Sequence, residues 1–153
     1  MKSIIVLISL LFLSGCATVS MLPQSANEID FSKRVEGKTG WSKYEQFHLF
    51  KNTETLDIYE AAKVGLAKNG FALISADMDK GTVIGEHGIT LHDWNVLAGI
   101  YFKKKTESDI DVKVVVEGSK DTGFSGDVTG DSWAGKILIA MREYLNQNKQ
   151  ANQ

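Results

Sequence analysis

Between Phe71 and Gly118 the side chains alternate with a period of two, and no other feature restricts the fold as much. Phe71–Asp77, Thr82–Leu91, Val96–Lys105 and Asp109–Gly118 read as four strands. In the last, Ile110, Val112, Val114 and Val116 point one way, and Asp111, Lys113 and Glu117 the other. The breaks are Met78-Asp79-Lys80-Gly81, His92-Asp93-Trp94-Asn95 and Thr106-Glu107-Ser108. Such short polar breaks favour hairpins, so the run predicts an antiparallel meander rather than a parallel sheet.

Tyr44–Lys51 is rich in aromatics and predicts a further strand ahead of the meander. Asn52-Thr53-Glu54-Thr55 supplies capping residues for a helix that runs to Asn69, with Ile58, Tyr59, Ala62 and Leu66 on one face. Gly70 fits a left-handed helix stop, with Phe71 placed to fold back on the last turn. A second helix is predicted from about Ser132 to Leu145, with Asp131 or Ser132 as N-cap. Its stripe is Trp133, Ile137, Met141 and Tyr144, widened by Leu138 and Leu145. Two one-sided helices and a one-sided sheet predict an α+β, two-layer sandwich. Its order is strand, helix, four strands, helix, and both helices pack on one face.

Ahead of this domain the chain changes character. Met1-Lys2-Ser3 is short and positively charged, and Ile4 to Leu13 is apolar with only Ser9 interrupting. Ten such residues make about 15 Å of helix, half the ~30 Å needed to span a bilayer, but they suit the apolar core of a secretory signal. The stretch closes on Leu13-Ser14-Gly15-Cys16, which holds the single cysteine of the chain. That tetrapeptide resembles the lipobox of bacterial lipoproteins. The resemblance implies that the Cys16 thiol takes a diacylglycerol, that residues 1–15 are cut away, and that the new amine is acylated. Thiolate nucleophilicity suits that chemistry, and acylation removes the anomaly of a lone thiol in an oxidising compartment. Two or more acyl chains anchor a protein stably. Ala17 stands where an aspartate retains enteric lipoproteins in the inner membrane, which implies the outer membrane, facing the periplasm.

The order of elements is similar to the helix-grip domains of small envelope lipoproteins, such as the C lipoprotein of the outer-membrane β-barrel assembly machine. Gly70-Phe71-Ala72-Leu73-Ile74-Ser75-Ala76-Asp77 followed by Lys80-Gly81-Thr82-Val83-Ile84 carries the local likeness. It implies a fold, with no catalytic residues to transfer. The organisation expected is a signal at 1–15, a lipidated tether at 16–42, one domain at 43–147 and a polar tail at 148–153. The tether reading rests on polar composition and the single proline, Pro23.

No motif of catalysis or cofactor binding withstands inspection, and the chain is read as a non-enzyme with no cofactor and no metal. Gly130-Asp131-Ser132-Trp133-Ala134-Gly135-Lys136-Ile137 nearly matches a phosphate-binding loop, but Ile137 stands where a hydroxyl must hold magnesium. Asp77, Asp79 and Gly81 echo a calcium loop, yet Gly81 is fifth rather than sixth in the pattern. Asp121, Asp127 and Asp131 read as a solvated loop. His48, His87 and His92 are the three histidines, and the spacing of the last two puts them on opposite sides of a straight strand. No G-x-S-x-G elbow occurs. With 17 basic and 19 acidic residues and no basic run beyond Lys103-Lys104-Lys105, nucleic acid is not an expected partner.

One strand is apolar on both sides. Val96, Ala98, Ile100 and Phe102 make one face, and Leu97, Gly99 and Tyr101 the other. With the first set facing the helices, Leu97, Tyr101 and Val115 form a possible interaction surface on the open face. The competing explanation is that the tether or the first strand covers them. The function expected is therefore a membrane-anchored, periplasm-facing module that docks another envelope protein. Binding of a small ligand, lipid or glycan in a pocket lined by Tyr59, Trp133 and Tyr144 is the alternative, and a hydrolase with an unfamiliar site is the third reading.

Overall fold

The computed structural model describes residues 22–40, 43–88, 96–118 and 132–151. Cys16 and the lipobox lie outside them. The elements in chain order are a single 3-10 turn (Ala26–Glu28), β1 (Glu36–Lys38), β2 (Lys43–Phe50), α1 (Thr55–Lys68), β3 (Ala72–Asp77), β4 (Thr82–His87), β5 (Val96–Lys104), β6 (Ile110–Glu117) and α2 (Trp133–Ala151). The strands form one antiparallel sheet in the order β1-β2-β6-β5-β4-β3, open at both edges. The fold is α+β, as the periodicities predict.

β3 to β6 make the meander, and β2 pairs with β6 along its whole length, from Lys43 opposite Glu117 to Phe50 opposite Ile110. The register defines two ends. One, called upper here, carries His87, Val96, Glu117 and Lys43; the other carries Thr82, Tyr101 to Lys104, Ile110 and Phe50. Both helices cover one face. Ile58, Ala61, Ala62 and Leu66 of α1 and Ala134, Ile137, Leu138, Met141 and Leu145 of α2 share a core with Tyr44, Phe50, Val83, Val96, Ala98, Ile100, Phe102, Ile110, Val112, Val114 and Val116. Gly65 lets the helices meet: a Cβ there would lie 2.8 Å from Cγ of Met141 and 3.1 Å from the Ile137 carbonyl oxygen.

The predicted stop of α1 is present. Gly70 has φ +78°, its amide donates to Ala67, and the Phe71 amide donates to Leu66, so two end carbonyls find donors. Glu54 is the N-cap and makes no side-chain cap bond. Ser132 caps α2, its hydroxyl accepting from the Gly135 amide at 3.0 Å. That helix continues beyond Leu145 to Ala151, so most of the expected tail is helical.

The tether expectation is corrected. Residues 22–38 belong to the fold. β1 pairs with β2, with Glu36 opposite Gln46 and Lys38 opposite Tyr44. Leu22, Ala26, Ile29 and Phe31 lie as a strap on the sheet face away from the helices. The strap runs from the level of Gly99 down to the β3–β4 turn. There the Ala26 amide donates to Lys80 at 2.9 Å, and the Gly81 carbonyl accepts from Phe102 at 2.9 Å. No described helix is long and apolar enough to cross a membrane.

Candidate functional site

The expected interaction surface is not open. Leu97, Tyr101 and Val115 are buried beneath Leu22 and Ala26, together with Ile84. The Tyr101 hydroxyl donates to the Pro23 carbonyl at 2.8 Å, and burial pushes its pKa up. These three residues are the floor of the strap, so a partner reaches them only by displacing it. Lys113, expected in water, is also buried. Its ammonium donates to the Asp30 carbonyl at 2.8 Å and lies 3.4 Å from Glu45. Arg34 stacks over Phe47 at 5.3 Å, which continues the strap toward β1. Two-sided apolarity of β5 was the signal for a cover, and the apolar spacing of Leu22, Ala26 and Ile29 was the signal for what provides it.

The exposed apolar residues gather elsewhere. Among the described residues the large ones are Leu56, Leu73, Ile74, Met78 and Ile139. Leu73 (53% exposed) and Ile74 (40%) are on β3, the edge strand, and Met78 begins the turn that follows. The register shifts between Leu73 and Ser75, so Ile74 is an extra residue, unpaired with β4. A bulge bends a strand and turns its side chains outward. Below it, Leu56 and Met78 line an open groove of about 680 Å³, together with Ala26, Lys80, Phe102 and Lys104. Edge and groove both lie on the β3 side, with Ser75, Ala76 and Asp77 between Ile74 and Met78, and the groove also carries charged side chains, among them Glu54, Asp79 and Lys103. The sequence does not separate Leu73 and Ile74 from core residues, because both belong to an ordinary strand pattern.

Among the described residues, each titratable group with a shifted pKa has a local structural cause. Burial disfavours the charged form of Glu45, but the hydrogen bond and charge of Lys43, and then Lys113, outweigh it and lower its pKa. Burial lowers the pKa of His48, as does the nearby Arg142 charge. The carboxylate of Asp77 accepts from the Lys80 amide at 2.9 Å and lies 3.1 Å from its ammonium, which closes the β3–β4 hairpin. Its pKa is lowered chiefly by that amide. His87 is at the upper end of β4 against Phe71 (5.3 Å) and Trp133 (4.8 Å), far along the sheet from His48. No group of three metal-ligating side chains occurs among the described residues. His92, Asp121, Asp127 and Asp131 lie outside them.

Lys136, in the near-match to a phosphate loop, holds its ammonium over the Trp133 ring at 5.1 Å, and Ile137 is in the core. Trp133 packs against Phe71 at 5.4 Å, while Tyr59 packs against Phe102 at 6.4 Å, nearer the lower end. Neither these two nor Tyr144 lines the groove beneath Met78.

No family model and no curated protein matches the chain. Among solved structures it is similar to the di-domain ARO/CYC BexL from the BE-7585A biosynthetic pathway, with a TM-score of 0.35 and 7% identity. The likeness covers 74% of this chain and 48% of that one, so the chain spans about half the length of that protein. At this distance the likeness says nothing of what the chain does.

Proposed function

We propose that this protein is a non-enzymatic lipoprotein, anchored through acylated Cys16 in the bacterial outer membrane and facing the periplasm. Its role is to dock another envelope protein along the β3 edge. The anchor reading rests on the apolar stretch Ile4–Leu13 and on Leu13-Ser14-Gly15-Cys16. The docking reading rests on one observation: four of the five large exposed apolar side chains among the described residues lie on β3 or in the groove below it. An edge strand offers backbone groups to an extended segment of a partner, and flanking pockets select its side chains. Nothing comparable supports ligand binding between helices and sheet, where Tyr59 and Trp133 are apart.

Two experiments test the two halves. Cys16→Ser should abolish acylation and release the protein from the membrane fraction; persistent acylation of the N-terminus would refute the anchor. Photo-crosslinking in cells with the reactive group at Ile74 should give a discrete protein adduct that a probe at Glu143 does not. Absence of that adduct in folded, abundant protein would remove the docking reading.

A further inference from the structure

The strap fixes where the chain leaves the domain. Pro23 lies over the Gly99 level through its bond from Tyr101, whose ring lies along its own strand toward Gly99, and Ala26 reaches Gly81 and Phe102. From Pro23 to Ala26 the polypeptide therefore runs down the sheet, away from the upper end. From Leu22 to Cys16 there are six residue steps, at most about 20 Å of extended chain. β5 alone, with nine residues, is about 30 Å long. An anchor at Cys16 is thus within reach of the upper end with slack, and reaches the plane of the lower end only with the chain pulled straight along the domain.

The chemistry of the upper end fits a bilayer surface. Trp133 is partly exposed there and packs on His87 and Phe71, with the Lys136 ammonium over its ring. An amphipathic indole beside a long basic side chain is the pairing that settles at the headgroup level.

We infer that the upper end of the sheet, marked by Trp133 and Lys136, rests against the phospholipid surface. The β3–β4 turn and the groove lined by Leu56 and Met78 then point away from the membrane. The inference rests on the anchor reading above.

The test uses the full acylated chain, purified from membranes and placed in nanodiscs of phosphatidylethanolamine and phosphatidylglycerol. Mass analysis of the N-terminal peptide comes first: an unmodified Cys16 would overturn the anchor reading and this inference with it. A fluorophore is then attached at Lys136→Cys or at Glu107→Cys, both exposed positions, the second in the β5–β6 turn at the lower end. Lipids carrying a headgroup-level quencher should quench the Lys136→Cys probe several-fold more than the Glu107→Cys probe. Equal quenching, or stronger quenching at Glu107→Cys, in acylated protein would overturn the orientation and leave the anchor intact. A long Gly-Ser insertion after Ala17 should reduce the quenching at Lys136→Cys without releasing the protein. Unchanged quenching with the insertion would show that anchor length does not hold this end at the bilayer and would overturn the argument.

Discussion

A methyl group added at Gly99 would collide with the Tyr101 hydroxyl and lie 2.7 Å from its ring carbons. Gly99→Ala should therefore lift the ring, break the bond to Pro23 and cost about 1–3 kcal/mol in urea denaturation. Tyr101→Phe keeps the ring and loses only the hydroxyl bond, so it should cost about 1 kcal/mol. Lys113 behaves differently. Removing its ammonium by Lys113→Met leaves Glu45 with Lys43 as its partner and strips the Asp30 carbonyl of a donor. A loss of about 1–3 kcal/mol is expected, the size of an unpaired buried acceptor. His48 gives a pH signature. Its pKa is lower folded than unfolded, so the unfolded chain binds more protons in the window just below the ordinary value of 6.5. Stability should be flat above that value and fall as pH drops through the folded pKa, and His48→Gln should flatten that part of the curve. At this scale the sequence was read well where geometry is local, as at Gly70, and poorly at Lys113. A lysine in an alternating strand is compatible with water or with a buried partner, and only the strap decides.

Among the elements, the strap and the β3 edge are the two on which the proposed orientation and docking depend. Leu22→Asp with Ile29→Asp places charges against Ile84, Leu97 and Val115. This pair should cost about 2–5 kcal/mol or release the strap. Release would be seen as new binding of a hydrophobic dye and as proteolysis between residues 22 and 35 while the helical signal persists. Ile74→Lys, on the exposed bulge, should change stability by no more than about 0.5 kcal/mol. It should also erase any adduct from a crosslinker placed at Leu73. β3 to β6 and both helices are legible because each has its own period, whereas β2 is legible only from its aromatic content, its burial not alternating. β1 and the 3-10 turn are not, since three residues carry no periodicity and their placement is set by what they lie upon. α2 exceeded its stripe because Asn146 to Gln150 are polar yet helix-compatible, and Lys149 finds the Asn52 carbonyl at 3.1 Å.

For the whole molecule, layer architecture followed from two apolar helix faces and an alternating sheet. The placement of β2 between β1 and β6 did not, because pairing over some seventy intervening residues leaves no local trace. Between the two readings of the open face, available surface or surface covered by the tether or first strand, composition does not decide for the same reason: the fold shows the cover, and it comes from a stretch whose composition resembles a linker. The anchor and the domain should be energetically separate. Cys16→Ser protein is expected to melt within about 1–2 °C of the acylated form in detergent, since a substitution six residues ahead of Leu22 removes none of the strap's own contacts from Leu22 to Phe31 and unrelated sites add independently. A larger shift would mean that the region ahead of Leu22 contributes to the fold.

Because the strap is both the cover of one sheet face and the stretch that leads to the N-terminus, it is also the first part to feel a pull. A force applied at the N-terminus draws on Leu22, Pro23 and Ala26 before it reaches β1, and their hold is one apolar patch with a few hydrogen bonds. Peeling residues 22–35 would extend the chain by on the order of 40 Å while leaving the β2–β6–β5–β4–β3 sheet and both helices in place. In a single-molecule pulling experiment we expect a low-force step of that length before the main unfolding event, shortened or weakened in Tyr101→Phe. With the proposed anchor the domain would then have two working distances from a bilayer, and tension would both lengthen its reach and uncover Leu97 and Val115.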